Sequence, residues 1–283
     1  MSEQPAAVQY TQEQQTSELE DCALAREALY TGEYAAAEEL LGTLSNQGNL
    51  TAKVDLALLH LRELVISPDF DFGITLLHEA STSGMPMASA QLGAAYEKGA
   101  ATPQNTSLAL KFYLIAADQG DSEGMFNAGR YYLLGIGTEQ HNENAMNWLG
   151  HAAHLDHKLA CYWMGGIYLD AQYVVPDPAM ASNFYERGAT LGDSYCQNKH
   201  GIMYRDGVGR AVNLEQARAL FLLSTDSGNE WWQFLLGQMY LTGTHVNQDL
   251  DRARQLFTLS AEQGLAEAQV ELGAVYGKGL GSL

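Results

Sequence analysis

Three histidines stand three residues apart near the middle of the chain: His151, His154 and His157. Residues three apart on a helix share a face, so His151 and His154 would present two imidazoles side by side, the beginning of a metal site. A zinc-type site needs further ligands. No Cys or acidic pattern supplies them here, although Asp156 falls between the last two histidines. The trio is read as a solvated face, and no metal ligand is assigned. Cys22, Cys161 and Cys196 form no Cys-x-x-Cys motif, which fits a reducing compartment, most simply the cytoplasm. Cys161 and Cys196 are read as buried thiols close enough in the fold to approach one another. Gly135-Ile136-Gly137 and Gly207-Val208-Gly209 resemble phosphate loops, but both fall where an inter-helix turn is needed. The chain has no Gly-x-Ser-x-Gly, no His-Glu-x-x-His and no phosphate-binding Gly-x-x-x-x-Gly-Lys motif. The expectation is a protein with no catalytic residue and no cofactor, not an enzyme.

The elements that would position any site follow from a repeat. Gly93, Gly129, Gly165, Gly201, Gly237 and Gly273 are each 36 residues apart, and Tyr96, Tyr132, Tyr168, Tyr204, Tyr240 and Tyr276 follow in the same phase. Chance does not hold two residue types in register over six periods. Within one period, Ala88, Leu92 and Tyr96 make a helical stripe that Gly99 ends. Asn105 offers a cap for a second stripe through Ala109, Phe112, Tyr113 and Ala116, and Gly120 closes it. Each unit is a helix hairpin. Ala109, Ala145, Ala181, Ala217 and Ala253 keep the phase in the second helix. A closing glycine recurs as Gly48, Gly84, Gly120, Gly192, Gly228 and Gly264, with Asp156 as the exception. Glycine inside a helix costs about 1 kcal/mol relative to alanine. Its place in an apolar stripe predicts that the two helices cross closely there, with the tyrosine wedged between neighbouring units.

Charge excludes some classes of partner. The chain carries 34 acidic against 15 basic residues, a net charge of -19, which argues against a nucleic-acid backbone or an anionic membrane as partner. No apolar run is long enough to span a bilayer. The polar, acidic start is read as a disordered leader over residues 1–17 and not as a secretory signal. Then come a capping hairpin at 18–49 and a degenerate unit at 50–85, where Ala57 and His60 replace the glycine and tyrosine. Five units of 36 residues fill 86–265, and a partial unit at 266–283 caps the end, giving fifteen helices in all.

Ala266 to Gly279 (AEAQVELGAVYGKG) and the Met87 unit (ASAQLGAAYEKG, then ALKFYLIAADQG) resemble the Sel-1-like repeat, a relative of the tetratricopeptide repeat. The short Thr31-Gly32-Glu33 turn reads more like a tetratricopeptide hairpin. Two departures stand out. Ala171 replaces the third glycine of its unit, which predicts a longer helix, and Trp232 occupies a usually small position. The resemblance implies an all-α, right-handed α-solenoid of helix-turn-helix repeats whose concave face is lined by first helices. It implies a non-catalytic scaffold or adaptor that binds a protein. On that face Arg130, Tyr131, Trp163, Tyr195, Lys199 and Trp231 are the candidate contacts. The competing reading is that these rings fill core between units; it applies to Trp163, Trp231 and above all Tyr131. Leu114, Ile115, Leu222 and Leu223 stand where the family commonly has charge, and form a candidate apolar outer patch for a partner or a homodimer. Two alternatives stay open: an immunity-type antagonist of a basic toxin, drawn in by the acidic charge, and a metal-dependent enzyme built on the histidine trio.

Overall fold

The computed structural model describes residues 12–99, 103–226, 228–244 and 246–277, which form fifteen helices joined by turns, with no strand among the described residues. The chain divides into two compact units, Met1–His141 and Asn142–Leu283. The first holds α1 (Gln12–Thr31), α2 (Tyr34–Asn46), α3 (Leu50–Leu61), α4 (Phe70–Thr82), α5 (Pro86–Lys98), α6 (Thr106–Asp118) and α7 (Ser122–Leu134). The second holds α8 (Asn142–His154), α9 (Lys158–Ile167), α10 (Pro178–Thr190), α11 (Ser194–Asp206), α12 (Leu214–Asp226), α13 (Glu230–Thr242), α14 (Leu250–Glu262) and α15 (Ala266–Gly277). Residues 12–17 of the expected leader belong to α1; residues 1–11, Gly279 and the rest of the C-terminus lie outside the described residues.

Local chemistry sets the helix ends. Second helices start on side-chain caps: Asn105 accepts from the Leu108 N–H at 2.9 Å, Asp177 from Met180 at 3.0 Å, and Asp249 from Arg252 at 3.0 Å. Each cap satisfies a backbone donor the helix cannot. The N–H of each cap residue also reaches back to the repeat tyrosine: Asn105 to the Tyr96 carbonyl at 2.9 Å, Asp177 to Tyr168 at 2.8 Å, Asn213 to Tyr204 at 2.9 Å and Asp249 to Tyr240 at 3.0 Å. These bonds fix the loop between the two helices of a hairpin. Asp156, the exception among the closing glycines, takes the left-handed conformation itself, at φ 61°. Its carboxylate pairs with Arg187 at 2.8 Å.

The repeated glycine is explained by a ring. A Cβ at Gly93 would stand 2.6 Å from the Tyr113 ring, at Gly165 2.6 Å from Tyr185, at Gly201 2.8 Å from Phe221, and at Gly237 2.7 Å from Phe257. Each ring lies on the second helix, one turn after the phased alanine, and is nearly or fully buried. Burying such a ring stabilises by roughly 1.5–3 kcal/mol, which outweighs the glycine's helix cost of about 1. Gly273 has no neighbour within 4 Å, because no later helix packs on α15 among the described residues. The degenerate unit reverses the arrangement. Gly73 now sits in the second helix, where a Cβ would meet Leu61 Cγ at 3.0 Å and the Ala57 carbonyl at 3.1 Å.

Two expectations meet detail the repeat did not show. Tyr96 and Tyr168 also stack inside their own hairpins, Tyr96 on Phe112 at 5.6 Å and Tyr168 on Phe184 at 5.7 Å. Tyr96 also reaches back, its hydroxyl 3.3 Å from His78 of the preceding hairpin. Ala171 does not lengthen its helix. With no glycine to take the left-handed cap that Gly135 and Gly207 provide, α9 stops at Ile167 after 10 residues, where most helices run 13.

Candidate functional site

In the first unit, two of the expected contact residues belong to the interior. Arg130 donates to both Glu97 carboxylate oxygens, at 2.7 and 2.9 Å, and to Asn127 Oδ1 at 3.0 Å. The Tyr113 hydroxyl donates to the same carboxylate at 2.6 Å. Tyr131 is fully buried, edge-on to Tyr113 at 5.4 Å, and burial pushes its hydroxyl up to about 12. Arg130 and Tyr131 hold the hairpins together and are not free contacts. Leu114 and Ile115 are half-buried against their neighbours, so they do not form the exposed patch expected of them.

The second unit leaves two of the expected aromatics to solvent. Tyr195 is 47% exposed and Trp231 41%, and both stand at the same repeat position, 36 residues apart, on α11 and α13. The same position on α9 is Leu159, 44% exposed, which reading the sequence for aromatics missed. Tyr195 bridges its neighbours: its ring lies 5.8 Å from Tyr162 on α9 and 5.6 Å from Trp232 on α13. Trp163 and Lys199 are half-buried. Leu222 and Leu223 are exposed on α12, and Leu222 borders a groove of about 390 Å³ with Leu259, Arg218 and Arg252.

Trp232 shapes what lies beside this ladder. Ala88, Gly124, Ala160, Cys196 and Ala268 hold its position in the other repeats. A small residue is needed there for close packing. A Cβ at Gly124 would come within 2.6 Å of Ala116 Cβ and 2.8 Å of the Ala117 nitrogen, so α7 rests directly on α6. An indole cannot fit into that contact. In the second unit α13 packs on α12 more loosely than any other helix packs on its neighbour in sequence. Beside this contact lies a cavity of about 410 Å³ lined by α11, α12, α13 and Glu271 of α15. Its apolar lining includes Ile202, Phe221, Trp232, Leu235, Leu236 and Met239; its polar lining includes Asn198, Arg205, Gln238 and Glu271. The signal for this cleft was present in the repeat. Leu235 and Glu271 fall 36 and 72 residues after Lys199, and Ile202 and Gln238 continue the position of Arg130.

Neither Cys161 nor Cys196 lines the cleft. Cys161 and Cys196 are free, buried thiols flanking Gly188. Burial pushes Cys161 up to about 11, and burial with the Asp193 carboxylate pushes Cys196 up as well, so neither yields a ready thiolate. His151 and His154 are exposed, while His157 caps α9, its Nδ1 accepting from the Ala160 N–H at 3.2 Å. Among the described residues no three such groups could hold a metal ion, and no helix is long and apolar enough to cross a membrane. His200, in the place of the leucine before the repeat glycine, is buried against Tyr204 at 4.8 Å. Burial, then the Arg210 guanidinium, lower it to about 4 against a partial opposing effect of Glu186, so it is neutral at pH 7.

Known proteins share this architecture. The Sel1 repeat model matches residues 86–121, 122–157, 158–193, 194–229, 233–265 and 266–283, leaving out only 230–232 in that stretch, where Trp231 and Trp232 stand. A protective antigen of uropathogenic Escherichia coli strains superimposes with a TM-score of 0.75 at 27% identity, over 86% of this chain and 52% of that one. A Sel1 repeat protein from Oxalobacter formigenes superimposes with a TM-score of 0.72 at 24% identity, over 85% of this chain and 96% of that one. The fold is thus an α-solenoid of helix hairpins. The chitin synthase regulator SKT5 of Saccharomyces cerevisiae is 29% identical over 164 residues, 57% of this chain but 23% of the regulator. This chain therefore spans less than a quarter of that relative's length.

Proposed function

The chain belongs to the Sel1 repeat family, and we propose that it is a non-catalytic adaptor that binds a partner protein through the first helices of its second unit. The observation that carries this reading is the run of exposed apolar residues Leu159, Tyr195 and Trp231 at one repeat position, beside a cleft. Large apolar and aromatic side chains left to solvent on successive helices are typical interface anchors. A packed repeat scaffold holds them in place before binding, so little ordering entropy is lost when the partner docks. The yeast relative is a chitin synthase regulator, which supports an action on another protein rather than on a small substrate. The cytoplasm is the compartment that free, buried cysteines suit.

The test is capture from the source cell with the whole chain as bait. A stoichiometric partner of the wild type should drop at least tenfold with Tyr195→Ser/Trp231→Ser, while helical content stays native. A partner retained by that variant and lost by Leu222→Ser/Leu223→Ser would place the interface on the outer helices and overturn the reading.

The net charge of -19 favours a second reading, an antagonist that blocks a basic toxin or effector. Charge steering predicts an association rate that falls steeply with added salt, whereas docking through apolar anchors predicts a flat dependence.

A further inference from the structure

Asn198 stands at a position where the other repeats hold Ala90, Phe126, Tyr162, Phe234 and Val270. Asn198 as a whole is 4% exposed and lines the cleft, and no protein group among the described residues hydrogen-bonds its carboxamide, which is left to the cleft. A carboxamide on a position that is apolar in the other repeats gives up apolar packing and turns a donor and an acceptor toward the cleft. Trp232 also lines the cleft, and its indole N–H is buried without an acceptor among the described residues. The cavity, at about 410 Å³, falls within the roughly 300–1,000 Å³ usual for ligand pockets. Its charge balance is negative. Arg205 is held by both Asp206 oxygens, at 2.7 and 2.8 Å, while Glu271 makes no ion pair among the described residues.

Resting on the proposed protein-binding role of this unit, we propose that the cleft seats an extended segment of the partner. One large apolar side chain enters the cavity, a basic residue beside it meets Glu271, and the partner's main chain pairs with the Asn198 carboxamide. A carboxamide offers one acceptor and a donor group, the complement of a peptide unit, so Asn198 fixes main chain without regard to sequence. The cavity and Glu271 then supply the selectivity. Trp232 is the positioning residue, because its bulk keeps α13 off α12 and the cleft open.

A display library of random nine-residue peptides, selected on the whole wild-type chain, tests this. The selected peptides should share Leu, Met or Phe next to Lys or Arg. The most enriched peptide, labelled with fluorescein, is then the probe. Asn198→Leu restores the apolar residue type of the other repeats and should fold at least as well, yet bind the probe at least tenfold more weakly. In the wild type the Asn198 side-chain amide resonance should shift on adding the probe. A library without a shared motif, or unchanged affinity in N198L, overturns the proposal. So does saturable binding of decanoate in place of any peptide, which would make the cleft a lipid pocket. If N198L binds the probe normally but Tyr195→Ser/Trp231→Ser does not, the cleft proposal falls and the interface reading stands. If neither variant weakens it, both fall.

Discussion

Gly237 and Gly273 occupy the same repeat position, 36 residues apart, yet alanine should act on them with opposite sign. A Cβ at Gly273 meets nothing within 4 Å, so Gly273→Ala collects the helix-propensity gain of about 1 kcal/mol. A Cβ at Gly237 would lie 2.7 Å from Phe257 Cε1 and 2.9 Å from Cδ1. Carbon atoms prefer about 3.5–4.0 Å, so the ring must retreat by about 1 Å. Phe257 is fully buried and packed against Phe234 at 5.9 Å, which leaves it little room. Overpacking of this kind costs about 1–3 kcal/mol, so after the propensity gain Gly237→Ala should lose about 1 kcal/mol. The two variants should therefore differ by about 2 kcal/mol. Urea unfolding followed by circular dichroism gives the global effect. Amide exchange in α13 and α15 gives the local one, which matters because terminal repeats open separately. Phe257→Leu, which shrinks the ring, should relieve Gly237→Ala, with a coupling energy of about 1 kcal/mol. If both alanines stabilise alike, the ring does not explain the glycine.

Two further predictions concern groups buried in the hairpins. For His200, the folded value near 4 lies below the unfolded 6.5, so between these pH values the unfolded chain holds more proton and stability falls as pH drops through the window. The loss by pH 4 is about 3 kcal/mol at most, and His200→Leu should remove it. Equal loss in both proteins, by urea midpoints at pH 7 and 4.5, would contradict this assignment. Arg130→Ala leaves the Glu97 carboxylate with only the Tyr113 hydroxyl and should cost about 1–3 kcal/mol. Binding by the second unit should not change; a loss of partner with unchanged stability would return Arg130 to the interface.

The hairpin order was legible because its signals are local. A closing glycine, an Asn or Asp cap and a stripe of four-residue spacing each act within one or two turns, so Gly120, Asn105 and the Ala109 stripe marked the helices before any packing was known. Ala171 shows the limit of that reading. The missing glycine was visible, but whether α9 would run on or stop early depended on the following turn, where Asp170 accepts from the Gln172 N–H at 2.9 Å.

Sequence by itself determined the period, the helix count and the faces that must be small. These follow from backbone chemistry repeated every 36 residues. Only tertiary structure decided which aromatics meet solvent. Whether Trp231 fills core or meets solvent was open in the sequence; the packing leaves it 41% exposed, with Tyr195 at the same repeat position 47% exposed. The cleft likewise arises from Trp232 pressing on a helix that precedes it, and the room left for an indole is a property of two helices together.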